Sequence, residues 1–182
     1  MNAIPERLPQ TLHHFAWRCR DAEETRAFYE DLLGLPLVHV IKADHVPSTG
    51  EYCPYVHIFF ELADGSYIAF FDLGDDTNAE PSPNTPSWVN HIALEVKDEA
   101  ALMTALDRLQ AAGVSVIGPT DHGFVKSIYM FDPNGVRLEL TARTKGEEYL
   151  REIALQAHGK LDAWTRSKKA RSSKERAAAG GS

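Results

Sequence analysis

Cysteine is scarce in this chain. Cys19 and Cys53 are the only two among 182 residues, too few for a disulfide framework or a thiolate metal cluster, so we expect both to be free thiols. Long apolar runs are also missing: no window approaches the roughly 18 apolar residues of a membrane span, and the first residues lack the pattern of a signal peptide. We therefore expect a soluble, cytoplasmic protein with no membrane partner.

An excess of positive charge is missing as well. The formal net charge is −7 at pH 7, and the one basic stretch, residues 160–176, lies near the C-terminus. Phosphate binding needs a concentrated basic face, so the body of the protein is not expected to bind nucleic acid. What the chain does have is 43% apolar residues, enough for the core of one globular domain.

An internal repeat organises the sequence. In both copies a histidine is followed seven residues later by an aspartate, His14 to Asp21 and His91 to Asp98, and the aspartate opens a helix-like segment that ends at a glycine. Asp caps the first N–H groups of a helix, and Gly closes its end. Each copy then runs through strand-like stretches to an Asp-Gly or Asn-Gly hairpin turn and a final apolar strand.

The repeat predicts an α+β fold of two tandem βαβββ modules followed by a helix. Apolar residues at helical spacing predict that this last helix is amphipathic, and the Lys, Arg, Ser, Ala and Gly composition after it predicts a disordered tail. The predicted segments are one domain over 1–145, with module one at 11–73, a linker rich in Pro, Asn and Ser at 74–87 and module two at 88–142, then the helix at 146–168 and the tail at 169–182.

Strand alternation places three candidate metal ligands on the polar faces of their strands. His14 lies opposite the apolar set of the first strand, His91 takes the same position in module two, and Glu139 lies on the closing strand. A single strand histidine or glutamate is ordinarily structural or solvated, but the coincidence of all three favours a metal site. His13 alternates to the core side and is interpreted as structural.

These residues resemble the vicinal oxygen chelate superfamily, which includes glyoxalase I, bleomycin- and fosfomycin-resistance proteins and type I extradiol dioxygenases. The motifs that carry the resemblance are HFAWRCRDAEETRAFYEDLLGL, HIALEVKD and FDPNGVRLEL, within residues 11–142. The resemblance implies a cup-shaped mixed sheet formed by the paired modules, with His14, His91 and Glu139 as metal ligands. It also implies a homodimer. Whether the site lies within one chain or is shared through swapped modules stays open.

The fourth ligand position separates branches of the superfamily. Ala69 stands where glyoxalase I-like members place a carboxylate, and alanine cannot bind a metal. Two histidines and one carboxylate are the donor set of a non-haem Fe(II) site with open coordination positions. This favours Fe(II) as the cofactor with O2 as a substrate, whereas Mn(II) held by the same ligands would act as a Lewis acid.

Two further residues favour the extradiol branch. Tyr129 precedes Glu139 by ten residues and His122 precedes Tyr129 by seven, which resembles the active-site tyrosine and histidine of those dioxygenases. His122 is then the candidate for proton transfer and Tyr129 for substrate orientation. His57 is a third catalytic candidate, because the additional histidine that the resemblance implies near the end of module one is missing from residues 65–67.

The sequence thus predicts an extradiol-type dioxygenase that cleaves a small catecholic aromatic substrate. The missing histidine counts against ring cleavage, and two alternatives stay open. One is a Mn(II)- or Zn(II)-dependent transferase, lyase or isomerase of the glyoxalase or fosfomycin-resistance kind, and the other is a metal-free binding protein of the bleomycin-resistance kind. The candidates for walls of an aromatic site are Phe59, Phe70 and Phe131.

Overall fold

The structure is a computed structural model that describes the backbone of residues 11–179 and the side chains of residues 11–167. The first ten residues of the predicted domain and the last three of the predicted tail lie outside the described residues.

Module one is built around a short capped helix. Asp21 accepts a hydrogen bond from the backbone N–H of Glu24 at 2.7 Å, which satisfies one of the free donors at the helix start. Gly34, with φ of 78°, closes the helical segment in the left-handed conformation. In chain order the elements are β1 (His14–Cys19), α1 (Ala22–Arg26), a π-helical segment (Ala27–Leu32), β2 (Leu37–His45), β3 (Tyr52–Glu61) and β4 (Tyr67–Asp72).

Module two repeats this design. Asp98 accepts from the backbone N–H of Ala101 at 2.8 Å, and Gly113, with φ of 78°, follows the helix. The repeated Asp and Gly positions therefore have the capping roles that the sequence predicts. The elements are β5 (Ile92–Glu95), α2 (Glu99–Ala111), β6 (Ile117–Asp121), β7 (Val125–Phe131) and β8 (Arg137–Arg143).

Each module forms its own four-stranded mixed sheet, which confirms the α+β fold of two tandem modules. The strand orders are β1-β4-β3-β2 and β5-β8-β7-β6. In each sheet the first strand of the module runs parallel to the last, and the remaining pairs are antiparallel. β1 and β5 are therefore edge strands, and within residues 11–179 no strand pairing joins the two sheets.

One hydrophobic core joins the two modules. The Tyr29 hydroxyl donates to Oδ2 of Asp132 at 3.0 Å, and the Asn134 side-chain amide donates to Oγ1 of Thr25 at 3.1 Å, both in buried surroundings. Burial raises the pKa of Asp132 and of Tyr29. Buried hydrogen bonds of this kind fix one packing arrangement of the modules, because an unpaired partner would be costly. The apolar core includes Phe60, Ile68, Phe70, Leu102, Leu109, Ile128 and Leu138.

The C-terminal helix is longer than the sequence predicts. Helix α3 (Glu147–Ala179) passes the expected end at 168 and extends into the segment for which disorder is predicted. The reason is compositional: after Gly159 no glycine or proline occurs before Gly180, and Ala, Lys, Arg and Glu favour helix. Within residues 11–179, no helix is long and apolar enough to cross a membrane.

Candidate metal centre and active site

The sheet register fixes which positions of the two modules are equivalent. Glu139 on β8 lies opposite Tyr129 on β7, and Ala69 on β4 lies opposite Phe59 on β3. On their other side, Glu139 lies opposite Ala93 of β5 and Ala69 lies opposite Ala16 of β1. Ala69 and Glu139 are thus equivalent, so module one supplies no carboxylate at the fourth ligand position.

His91 and Glu139 are the two predicted ligands that lie together. Nε2 of His91 is 3.1 Å from Oε2 of the buried Glu139, and Nδ1 of His91 is 2.9 Å from the backbone oxygen of Val89. A carbonyl oxygen only accepts, so Nδ1 carries a proton and Nε2 of the neutral imidazole turns its lone pair toward the carboxylate.

This geometry fits a shared cation. Two acceptor atoms facing each other need a proton or a cation between them. Adjacent donors of an octahedral ion with bonds of about 2.1 Å are about 3.0 Å apart, close to the observed separation of His91 Nε2 and Glu139 Oε2. The bond from His91 to Val89 is the kind of outer contact that orients a metal-binding imidazole.

His14 lies on the other sheet, in a cluster of histidines. Its Nδ1 is 2.8 Å from Nδ1 of His13, and its ring centroid is 5.7 Å from that of Phe59 and 6.1 Å from that of His57. His13 precedes β1 and is exposed, so its predicted place on the core side is wrong. Among the side chains that the structure describes, no group of three or more His, Cys, Asp or Glu is placed to hold a metal ion. One chain therefore brings together two of the three predicted ligands and leaves His14 apart.

Tyr129 and His122 form a hydrogen-bonded pair beside the predicted ligands. The Tyr129 hydroxyl oxygen is 2.7 Å from Nε2 of His122, and the Tyr129 ring centroid is 6.4 Å from that of His91. Burial, together with the neighbouring Glu139 carboxylate, raises the pKa of Tyr129. The phenol is therefore protonated at neutral pH and can donate a hydrogen bond.

His57 is a buried imidazole on the sheet of His14. It is 8% exposed, and its buried Nε2 has no hydrogen-bond partner among the described residues. Its ring stacks on Phe71 with centroids 3.6 Å apart. Burial, and to a smaller degree the neighbouring His14 and His39, lowers the pKa of His57 to about 4, so the ring is neutral at pH 7. His57 lies on the module-one sheet, whereas Tyr129 of the predicted tyrosine–histidine pair lies on the module-two sheet.

The three phenylalanines predicted as walls of an aromatic site lie in different surroundings. Phe59 is buried on the histidine side of its sheet, next to His14. Phe70 alternates to the opposite side and packs on Tyr29 in the core, so its predicted role as a wall is wrong. Phe131 is 46% exposed and lines a cavity of about 190 Å³.

Arg137 is a site residue that the sequence did not single out. Its guanidinium carbon lies 4.6 Å from the centroid of the Tyr129 ring, within the range of a cation–π contact, and it lines the same cavity as Phe131. The signal that could have found it is strand alternation, because Arg137 lies two residues before Glu139 and so shares its face.

The sequence matches the family model of the glyoxalase/bleomycin resistance protein/dioxygenase superfamily over residues 11–140. The chain therefore belongs to this superfamily. Its members are mostly enzymes that bind small-molecule substrates and divalent metals, and they often act as dimers.

Relatives with different reactions resemble this chain. A lactoylglutathione lyase of Neisseria meningitidis is 25% identical over 150 residues, which cover 75% of this chain and 94% of that protein. A biphenyl-2,3-diol 1,2-dioxygenase of Paraburkholderia xenovorans is 30% identical over 139 residues, 74% of this chain but only 42% of the dioxygenase. A fosfomycin resistance protein of Listeria monocytogenes, solved as a variant with Mn(II) and a dihydroxypropylphosphonic acid, is 20% identical with a TM-score of 0.56, covering 78% of this chain and 98% of that chain. The last likeness is one of fold.

Proposed function

We propose that the protein is an Fe(II)- and O2-dependent extradiol-type dioxygenase acting on a small catecholic aromatic substrate. The observation that carries the proposal is the 2.7 Å hydrogen bond between Tyr129, on the sheet that holds Glu139, and His122, in the turn before the strand of Tyr129. Ala69 at the fourth ligand position leaves the two-histidine, one-carboxylate donor set of non-haem iron. The relative at 30% identity is a diol dioxygenase, which supports the same branch.

The proposed metal ligands are His91 and Glu139 of one chain and His14 of a second copy. Iron bound by them would supply open positions for the two oxygens of a catechol and for O2. A second copy is invoked because His14 lies on the other sheet, with His13 and His57, whereas the other two ligands are 3.1 Å apart.

The open strand edges support this sharing between chains. β1 begins at His14 and β5 begins one residue after His91, and both strands are paired on one side only. An open edge leaves backbone donors and acceptors unpaired. Placing β1 of one copy beside β5 of the other covers both edges and brings His14 toward His91 and Glu139. Two-fold symmetry then gives a homodimer with two identical sites.

The residues around the ligands have separate proposed roles. Tyr129 orients the substrate by donating from its protonated hydroxyl to a substrate oxygen. When a catechol hydroxyl ionises, its proton passes to the Tyr129 oxygen while the Tyr129 proton passes to Nε2 of His122, so that the phenol then donates to the ionised substrate oxygen. The reverse transfer returns the proton to the ring-opened product. His57, neutral and buried beside His14, would complete the site from the second copy as a further hydrogen-bonding group.

Oxygen uptake and metal content on the same sample test the proposal. Protein reconstituted anaerobically with Fe(II) should bind stoichiometric iron, consume O2 with catechols and form a yellow ring-opened product. Glu139→Gln and His91→Ala should lose both iron and uptake. Glu95→Gln is the matched control, since this carboxylate on the neighbouring strand bonds Arg143 at 2.8 Å and should retain both.

Two results would reject the proposed dioxygenase function. Stoichiometric iron without O2 uptake across the catechol panel would exclude ring cleavage. Absence of stoichiometric metal under every reconstitution would reject the ligand set and favour a metal-free binding protein.

A Mn(II)- or Zn(II)-dependent lyase or isomerase is the second candidate. The observation that favours it is length, because the matched region covers 94% of the Neisseria meningitidis lactoylglutathione lyase. Ala69 argues against it, since no carboxylate stands at the fourth position. Anaerobic formation of lactoylglutathione by the Mn(II)- or Zn(II)-loaded protein would favour this candidate over the dioxygenase.

A further inference from the structure

A cavity of about 190 Å³ opens on the ligand-bearing face of the module-two sheet. Ile117 lies opposite Tyr129, and Arg137 lies opposite Phe131, across neighbouring strands. Because Tyr129 also lies opposite Glu139, all these side chains share the face of the predicted metal ligand. The cavity is lined by Ser115, Ile117, Tyr129, Met130, Phe131 and Arg137.

The walls of this cavity are mainly apolar and open to solvent. Ile117 is 61% exposed and Phe131 is 46% exposed, an arrangement that leaves apolar surface in water beside a polar site. Covering such surface with a flat apolar group is favourable, and aromatic rings stack well on phenylalanine. A ligand with a ring of this kind fits the walls.

The cavity contains one cation without a carboxylate partner. Within residues 11–167, Arg137 makes no ion pair, and its described contact is with the Tyr129 ring at 4.6 Å. By contrast, four other arginines of the two modules pair with carboxylates: Arg18, Arg20, Arg26 and Arg143. A half-buried guanidinium that keeps its planar fork of donors is suited to a carboxylate, which it can bind through two parallel hydrogen bonds.

We propose that this cavity is a carboxylate-binding subsite and that the enzyme's substrate is an aromatic acid. Arg137 binds the carboxylate, and the ring lies against Phe131 and Ile117. One arginine and no lysine line the cavity, which matches a single negative charge better than a phosphate or phosphonate. The subsite stands on the geometry alone, whereas its assignment to a catechol acid rests on the proposed function.

The spacing along strand β8 agrees with this substrate class. Arg137 and Glu139 are two residues apart on one face, about 7 Å along the strand. This is the length scale of one benzene ring with a substituent at each end. A ring acid held by Arg137 can therefore direct its far hydroxyl groups toward Glu139 and the Tyr129–His122 pair.

Calorimetric titration of the full-length protein, as purified and under argon, tests the subsite. The probes are 4-hydroxybenzoate and its neutral analogue 4-hydroxybenzamide, which have a single ring hydroxyl and so lack the vicinal hydroxyl pair that ring cleavage needs. The acid should bind at least about tenfold more tightly than the amide, as expected for a charge-assisted pair. Arg137→Gln should abolish this preference, and Arg137→Lys should restore part of it.

Arg143→Gln is the matched control, because Arg143 lies on the same strand and bonds Glu95 and Glu147. It should keep the preference for the acid, and equal thermal unfolding of all variants should exclude misfolding. The subsite would be overturned if the unsubstituted protein bound the acid and the amide equally well. It would also be overturned if Arg137→Gln and Arg143→Gln lost the preference for the acid to the same extent. If the protein does not cleave catechols, a measured preference for the acid that depends on Arg137 still supports the subsite. Cleavage of neutral catechols without binding of the acid would reject the subsite and keep the proposed function.

Discussion

The Tyr129 hydroxyl oxygen lies 2.7 Å from Nε2 of His122, so a protonated phenol and an imidazole act as one unit beside Glu139. The bond needs residues from β7 and from the turn that precedes it, brought together by the hairpin of β6 and β7. Any hydrogen bond that the phenol makes to a substrate will be coupled to the protonation of His122.

Tyr129→Phe should lower kcat about 10- to 100-fold, because the ring remains but the oriented donor and its link to His122 are lost. Bound iron should be unchanged, since the phenol is not a proposed ligand. Oxygen-uptake kinetics on iron-loaded protein measure this, with Tyr55→Phe on β3 as the control. Equal kcat in the two variants would exclude the proposed role of Tyr129.

Two inactive variants should restore one intact site when they share a dimer. Suppose that His14 of one copy joins His91 and Glu139 of the other. In a mixed dimer of one His14→Ala chain and one Glu139→Ala chain, one site then has all three ligands. The other site lacks both His14 and Glu139. Co-expressed and tandem-purified mixed dimers should then bind about half the iron of the unsubstituted protein. Pure dimers of either variant should bind almost none.

A site within one chain gives a different result, because every chain of the mixed dimer would lack one ligand. Absence of iron in purified mixed dimers would therefore exclude the shared site. Co-elution of the two differently tagged chains shows that the dimers were present.

His57 should make the protein less stable in mild acid. Its pKa is about 4 in the native state because of burial, against about 6.5 in the unfolded chain. The unfolded state therefore binds the proton first as pH falls. The free energy of unfolding should drop between about pH 6.5 and pH 4, by up to about 3 kcal/mol from this group.

Denaturant unfolding at several pH values measures this dependence. His57→Phe should flatten the curve in that pH range, whereas His45→Ala, at an exposed position on β2, should leave it unchanged. A curve with the same slope in the His57 variant would show that the buried imidazole is not responsible.

The two cysteines should differ in reactivity although both are free thiols, as the sequence predicts. Cys19 is 1% exposed, and burial raises its pKa to about 11, so little thiolate forms at pH 8. Cys53 is half-buried on β3. A thiol reagent such as iodoacetamide should label Cys53 in the native protein and both cysteines after denaturation, as peptide mass spectrometry would record. Rapid labelling of native Cys19 would contradict its burial.

The sequence by itself determined the modules and their internal register. The repeated Asp and Gly positions predict where both helices begin and end, because capping is a local interaction. Counting from the hairpin glycines makes Ala69 the equivalent of Glu139, and strand alternation places Glu139 on the polar face of its strand, since side chains alternate with a fixed period. The structure differs from the sequence prediction in two elements. A π-helical segment follows Arg26, and helix α3 continues to Ala179.

Only the tertiary structure decided which candidates meet. His91 and Glu139 lie 3.1 Å apart because β5 and β8 are neighbours in one sheet, whereas His14 stays on the other sheet with His57. Arg137, which makes no ion pair with the side chains that the structure describes, and its cavity also follow from packing, since the partners of an arginine depend on residues distant in sequence. Local patterns fix capping and alternation, but the distance between two modules depends on how their shared core packs.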